Sequence, residues 1–175
     1  AFEELGISRF ALLYPRTTYA RAFIEAFWDE VDARKGEVRG IESYEHDETT
    51  FREPVRKLVG RWYRTAREDY QEKVKEIREL KLPSHRERAA IEKFEKNLPP
   101  IVDFDAIVIP DTAKRMGLIA PALAFEDIVM TRDERELKRI KKATGYEEIH
   151  PITLLGASTW NKPQLRRQCQ RYCEN

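Results

Sequence analysis

The chain has 175 residues, of which 41% are hydrophobic and 36% charged, with a formal net charge of +1 at pH 7. That length suits one domain with a real buried core, and the near-neutral balance argues against a general nucleic-acid binder. No apolar run approaches the roughly 20 residues of a membrane-spanning helix and no secretory leader is evident, so the expectation is a cytoplasmic protein or a mature or excised piece of an exported one.

In chain order, the first element is the apolar run Phe10–Tyr14, "FALLY", which reads as a buried strand. The polar knot Pro15, Arg16, Thr17 and Thr18 follows, with the threonines as candidate N-caps. Ala20, Phe23, Ile24, Phe27, Trp28 and Val31 then recur at helical spacing, and Gly36 offers a C-terminal stop. Val38–Tyr44 reads as a second strand. From Phe51 to Leu82 the pattern predicts one long helix, with Val55, Leu58, Val59, Trp62, Tyr63, Ala66, Tyr70, Val74 and Ile77 on its apolar stripe. Ser84 and Glu87 form a capping box for the next helix, which Pro99–Pro100 end. The third strand is Ala106–Ile109. Asp111 or Thr112 caps the helix after it, which Pro121 should kink or interrupt. Thr131 and Glu134 form a second capping box, for a helix that stops at Gly145. Ile152–Leu155 is the fourth strand, and a last helix begins near Asn161 or Lys162.

Strands alternating with helices predict an α/β fold with an open, doubly wound parallel sheet. The near-continuous apolar runs of the first, third and fourth strands suit burial on both faces. The segment 61–97 is more than a single crossover requires and reads as a helical-hairpin insertion. Its stripe packs on itself and on the domain, or serves as a partner-docking surface; the first is the expectation.

Open parallel sheets bind ligands beyond the carboxyl ends of their strands. Those ends fall at Pro15–Tyr19, Glu45–Asp47, Pro110–Thr112 and Ala157–Asn161, loops rich in hydroxyls and aromatics: Tyr19, Thr112, Ser158, Thr159 and Trp160. Ordinary caps and turns account for the same residues. There is no G-x-G-x-x-G, Walker loop, G-x-S-x-G or H-E-x-x-H, and His46, His85 and His150 are scattered. Asp103 and Asp105 suit a turn into the third strand better than a cation site. Cys169 and Cys173, four apart, read as small apolar residues of a buried helix face beside Leu165 rather than as a metal or redox pair. No catalytic residue, metal site or cofactor is assigned.

Taken together, "LGISRFALLYPRTTYARAFIEAF", "VRGIESYEHDETTFREPVRKLV", "VDFDAIVIPDTAKRMGLIAPALAFEDI" and "LLGASTWNKPQL" resemble the membrane-distal half of a type I periplasmic binding protein, the Leu/Ile/Val-binding-protein-like group of extracellular ligand-binding receptors. The order and spacing of the four segments carry the resemblance, not any one motif. "FDAIVIPD…LIAPALAF" and "LLGASTWN" are most similar to the penicillin-binding protein activator branch, lipoproteins of the same two-lobed fold.

The resemblance implies a non-enzymatic ligand-binding lobe, the second of two in sequence, with the first lobe outside this chain. It implies periplasmic or extracellular residence, lipid anchoring in the full-length protein, and either delivery of a small polar ligand or amino acid to an ABC-type membrane transporter, or contact with a peptidoglycan synthase. By the same resemblance the turn with Thr17, Thr18 and Tyr19 meets ligand, and the loop Asp111–Arg115, with Thr112, is the second ligand-facing loop; Arg16 joins them as a cation of the first turn, and Ser158, Thr159 and Trp160 as candidates from their place at a strand end. Amino-acid binders of the family often carry an acid where Arg115 aligns, and Tyr19 is followed by Ala20 where they have glycine. These departures weigh against a plain α-amino acid, and Arg16 and Arg115 suit an anionic group instead. A small cytoplasmic α/β enzyme is the remaining expectation.

Overall fold

The computed structural model describes residues 5–146 and 148–160. The strands β1 (Arg9–Pro15), β2 (Glu37–Tyr44), β3 (Ala106–Ile109) and β4 (Thr153–Gly156) form one sheet in the order β2-β1-β3-β4. Every pairing is parallel. The helices are α1 (Thr18–Ala33), α2 (Arg52–Leu58), α3 (Glu68–Glu79), α4 (Ser84–Lys96), α5 (Ala113–Phe125) and α6 (Glu134–Thr144). Short 3-10 turns lie at Arg64–Ala66 and Ser158–Trp160.

Side chains of a strand alternate between faces, so each central strand feeds two cores. Phe10 and Leu12 of β1, with Ala106 and Val108 of β3, meet Ile24 and Val31 of α1. Ala11 and Leu13, with Ile107 and Ile109, meet Val55 and Val59 around α2 and Met116, Ile119, Ala120 and Leu123 of α5. Helices therefore cover both faces of an open parallel sheet. Burying one such leucine or isoleucine side chain contributes about 1.5–3 kcal/mol, so β1 and β3 anchor the domain.

The β2–β1 register slips once, between Phe10 and Ala11. The slip places Gly40 on the α2 side, where a Cβ would stand 3.3 Å from Leu58 Cδ1. β4 departs from expectation: Thr153, Leu154 and Leu155 are only half-buried. It is an edge strand in the described sheet, so its apolar run does not mark burial on both faces.

The single helix expected from Phe51 to Leu82 is divided. α2 ends at Leu58, and Gly60 takes a left-handed φ of +68°. A side chain there would be strained, and its Cβ would stand 2.8 Å from Ile101 Cδ1. The chain then turns through Arg64–Ala66 before α3 begins. α3 and α4 form a hairpin within residues 61–97. Its contacts are largely internal: the Tyr70 and Phe94 rings stack at 6.0 Å, and the Tyr70 hydroxyl donates to Glu95 at 2.7 Å. Leu80, beside the hairpin tip, is 67% exposed.

Several caps also differ. Ser84 makes no capping bond, because the Pro83 carbonyl already accepts from the Arg86 and Glu87 N–H groups at 2.8 and 3.0 Å. Asp133 rather than Thr131 caps α6, accepting from the Glu136 N–H at 2.9 Å. Gly145 ends α6 in the left-handed region, as expected. At the end of α1 that role falls to Lys35 (φ 59°) instead of Gly36. Pro121 lies inside α5 without interrupting it. The buried face of Met116, Ile119, Ala120 and Leu123 holds that helix together across the missing hydrogen bond. The expected last helix from Asn161, with Cys169 and Cys173, lies outside the described residues.

Candidate functional site

Because all four strands run the same way, their carboxyl ends share one edge. At its centre β1 and β3 are neighbours whose following helices, α1 and α5, lie on opposite faces. Such a switch point opens a crevice onto which two helix N-termini face.

The first turn is pinned to β2. The Arg16 N–H donates to the Tyr44 carbonyl at 2.8 Å, and the Thr17 N–H to the Pro15 carbonyl at 2.7 Å. Thr17 caps α1, its hydroxyl accepting from the Ala20 N–H at 3.1 Å. That employs Thr17 structurally, while Thr18 stays exposed and Tyr19 is 58% exposed. The Arg16 side chain reaches sideways, Nε donating to Ser43 at 3.0 Å and its terminal nitrogen to Glu45 at 2.5 Å.

The second turn is organised by Asp111, only 8% exposed. Its carboxylate accepts from the Tyr44 hydroxyl at 2.7 Å and from the Thr112 N–H at 2.6 Å. Arg115 Nε lies 2.8 Å from the same carboxylate as an ion pair, off line for a hydrogen bond. Thr112 caps α5 through the Arg115 N–H at 3.4 Å. The Arg115 guanidinium bonds the carbonyls of His46 and Glu45, fastening the loop after β2 to α5. It also lies 5.4 Å from the centre of the Tyr44 ring and 5.3 Å from that of Phe51. Burial and then the bond to Asp111 push the Tyr44 hydroxyl far above its ordinary range, so it stays a donor.

The last turn closes over the second. Trp160 Nε1–H donates to the Asp111 carbonyl at 3.0 Å. Its indole lies against Gly156, where an added Cβ would come within 1.9 Å of the ring. Ser158 is exposed, and Thr159 belongs to the same 3-10 turn.

The sequence-derived residues are thus divided. Asp111, Thr112, Arg115 and Trp160 join in one hydrogen-bonded cluster, Arg16 sits one strand away, and Thr18, Tyr19 and Ser158 are exposed on the rim. Tyr44, the residue that ties β2 to the second turn, was missed by the sequence reading; its place at a strand end, before the polar "EHDETT", was the available signal. Beside the edge opens a cleft of about 520 Å³ lined by Arg16, Ser43, Tyr44, Thr50, Arg56 and Trp62, among others.

Comparison with protein-family models, with curated proteins and with solved structures yields no match to this chain. Among the described residues no helix is long and apolar enough to cross a membrane. Among them, too, no group of three or more His, Cys, Asp or Glu side chains is arranged to hold a metal ion.

Proposed function

We propose that this chain is a non-enzymatic ligand-binding lobe of the type I periplasmic binding kind, the solute-binding component of an ABC-type transporter, and that it receives its ligand at the carboxyl edge of the sheet. The observation that carries this reading is the switch point between β1 and β3. There the N-termini of α1 and α5 and the exposed groups of Arg16, Thr18, Tyr19 and Ser158 meet at one rim. The first turns of both helices present partial positive charge. Asp111 is committed to Tyr44, Thr112 and Arg115, which leaves it poorly suited to meet a ligand ammonium. The ligand class favoured is therefore a small anionic or neutral polar molecule rather than a plain α-amino acid. Periplasmic location and a second lobe closing the cleft belong to the same proposal.

A second reading, a cell-envelope lipoprotein that regulates a peptidoglycan synthase by protein contact, draws on the α3–α4 hairpin and on the exposed Trp62, Tyr63 and Leu80. Thermal-shift titration of the protein carrying this chain, against small anions, amino acids and peptidoglycan fragments, separates the two. A ligand bound only by the folded state raises the melting temperature as its concentration exceeds its dissociation constant. A saturable shift with one chemical class, weakened by Tyr19→Ala, is the expected result. The absence of any shift across the panel would transfer the assignment to the envelope regulator.

A further inference from the structure

A second cleft, of about 490 Å³, lies where α2, the Arg64–Ala66 turn, α4 and the C-terminal end of α5 meet. Arg52, Arg56, Arg61, Arg64 and Lys96 line it, against four carboxylates. We propose that it is a binding site for a tetrahedral oxyanion, the phosphate or sulfate group of a small molecule.

Most of the carboxylates in this cleft are already answered by donors. Glu126, at the end of α5, is 3% exposed. It accepts from Arg52 Nε at 3.2 Å and from Arg61 at 3.0 Å. Asp127 accepts from Arg61 at 2.6 Å and from the Tyr146 hydroxyl at 2.9 Å. Glu95 accepts from the Tyr70 hydroxyl at 2.7 Å. These three carboxylates therefore have strong donors. Glu92, exposed on α4, is the fourth.

The donors are not all matched in return. Arg56 has a buried Nε with no hydrogen-bond partner, and the Glu126 oxygen near it stands 4.0 Å away. Arg64 also has a buried Nε without a hydrogen bond, its Glu95 neighbour lying 3.2 Å away but off line. Lys96 adds a further cation to the lining. Those two Nε atoms are closed off from the cleft, but the side chains are 29% and 38% exposed, and the outer nitrogens of both guanidiniums make no hydrogen bond with any described residue, so they are free to meet an acceptor from outside. Arginine forks match the oxygens of phosphate and sulfate with two parallel bonds. Phe125, 66% exposed, lies beneath the Arg52 guanidinium at 4.9 Å and adds an apolar wall for the body of an ester.

This site is independent of the strand-edge proposal, and the test keeps them apart. The probe is inorganic phosphate, titrated against the intact protein with potassium chloride of equal ionic strength as the control, followed by thermal shift and by calorimetry. The expected result is a saturable shift beyond the chloride control, with affinity reduced at least about tenfold in both Arg56→Gln and Arg64→Gln. Arg16→Gln, at the strand edge, should leave it unchanged. Phenyl phosphate binding tighter than inorganic phosphate would identify an ester ligand, and equal binding a free oxyanion; either supports the site. Arg64 lines only this cleft, so its variant tests the site even where Arg56 touches both. No shift beyond chloride overturns the proposal. So does a shift that survives Arg64→Gln and is lost in Arg16→Gln.

Discussion

The two ends of α5 carry charge clusters built on different terms. At the N-terminal end, Asp111 is answered by a phenol, a backbone amide and a guanidinium, and the same guanidinium ties down two loop carbonyls. At the other end, about 20 Å along a helix of this length, four guanidiniums and Lys96 face four carboxylates, and the Arg61 guanidinium makes most of the hydrogen bonds while those of Arg56 and Arg64 make none with the described residues. Both clusters keep a buried guanidinium Nε off line, but the outer nitrogens of Arg115 are bound to loop carbonyls, which fixes geometry, whereas those of Arg56 and Arg64 are left open to a ligand. Rigidity thus belongs to the strand edge; on the readings proposed above, recognition there falls to the rim residues and anion attraction to the second cleft.

The sharpest way to break the contrast lies within the second cluster. Arg61 is its structural member, donating to Glu126, Asp127 and the Leu98 carbonyl. Burial alone would lower its pKa, but the bonds to Asp127 and Glu126 outweigh burial and hold it above the ordinary value. The same surroundings push the Tyr146 hydroxyl up to about 12, burial first and Asp127 second. Arg61→Ala should cost about 3–5 kcal/mol in urea unfolding, since it strips a buried carboxylate of its main partner. Arg56→Ala, on the same wall, should cost under about 1 kcal/mol. Equal losses would mean that Arg56 is structural and not open to a ligand.

The first cluster is tested by Tyr44→Phe. The ring and its edge-on contact with Phe51, 5.0 Å between centroids, remain, while the donor to Asp111 goes. The expected destabilisation is about 1.5–3 kcal/mol, the worth of a buried hydrogen bond to a charged group. A neutral result would show that Arg115 and the Thr112 amide suffice.

The smallest effect belongs to a third pair, near the start of the sheet. Asp105 accepts from Arg9 at 2.7 Å, with His150 2.9 Å away. The bond from Arg9, followed by that from His150, holds its pKa below the ordinary carboxylate value despite partial burial. A depressed folded pKa gives stability that is complete above the unfolded value, about 3.9, and is lost as pH falls through the lower folded one. Asp105→Asn should therefore flatten the acid limb of the stability–pH curve and leave its shape near neutrality unchanged. An unaltered acid limb would remove Asp105 from the account.

Much of the fold was legible in the sequence. The apolar runs at Phe10, Val38, Ala106 and Ile152 became strands within a residue of their expected limits at every end, because period and apolar content act locally. Gly145 and Thr17 acted as read for the same reason, a cap being decided by a few neighbouring atoms. Reading failed where distant contacts overrode local preference. The apolar stripe through residues 51–82 satisfied a helix, but Gly60 sits against Ile101 and Arg61 is drawn to Glu126 and Asp127, more than sixty residues away. The strand-end loops were named correctly as one edge, since alternation of strand and helix implies parallel order. The sequence by itself determined the layers and the edge on which the loops gather. Only the tertiary structure decided which charges there are spent and which remain. Hydrogen-bond saturation depends on the direction and burial of side chains brought together from far apart in the chain, and no local pattern records either.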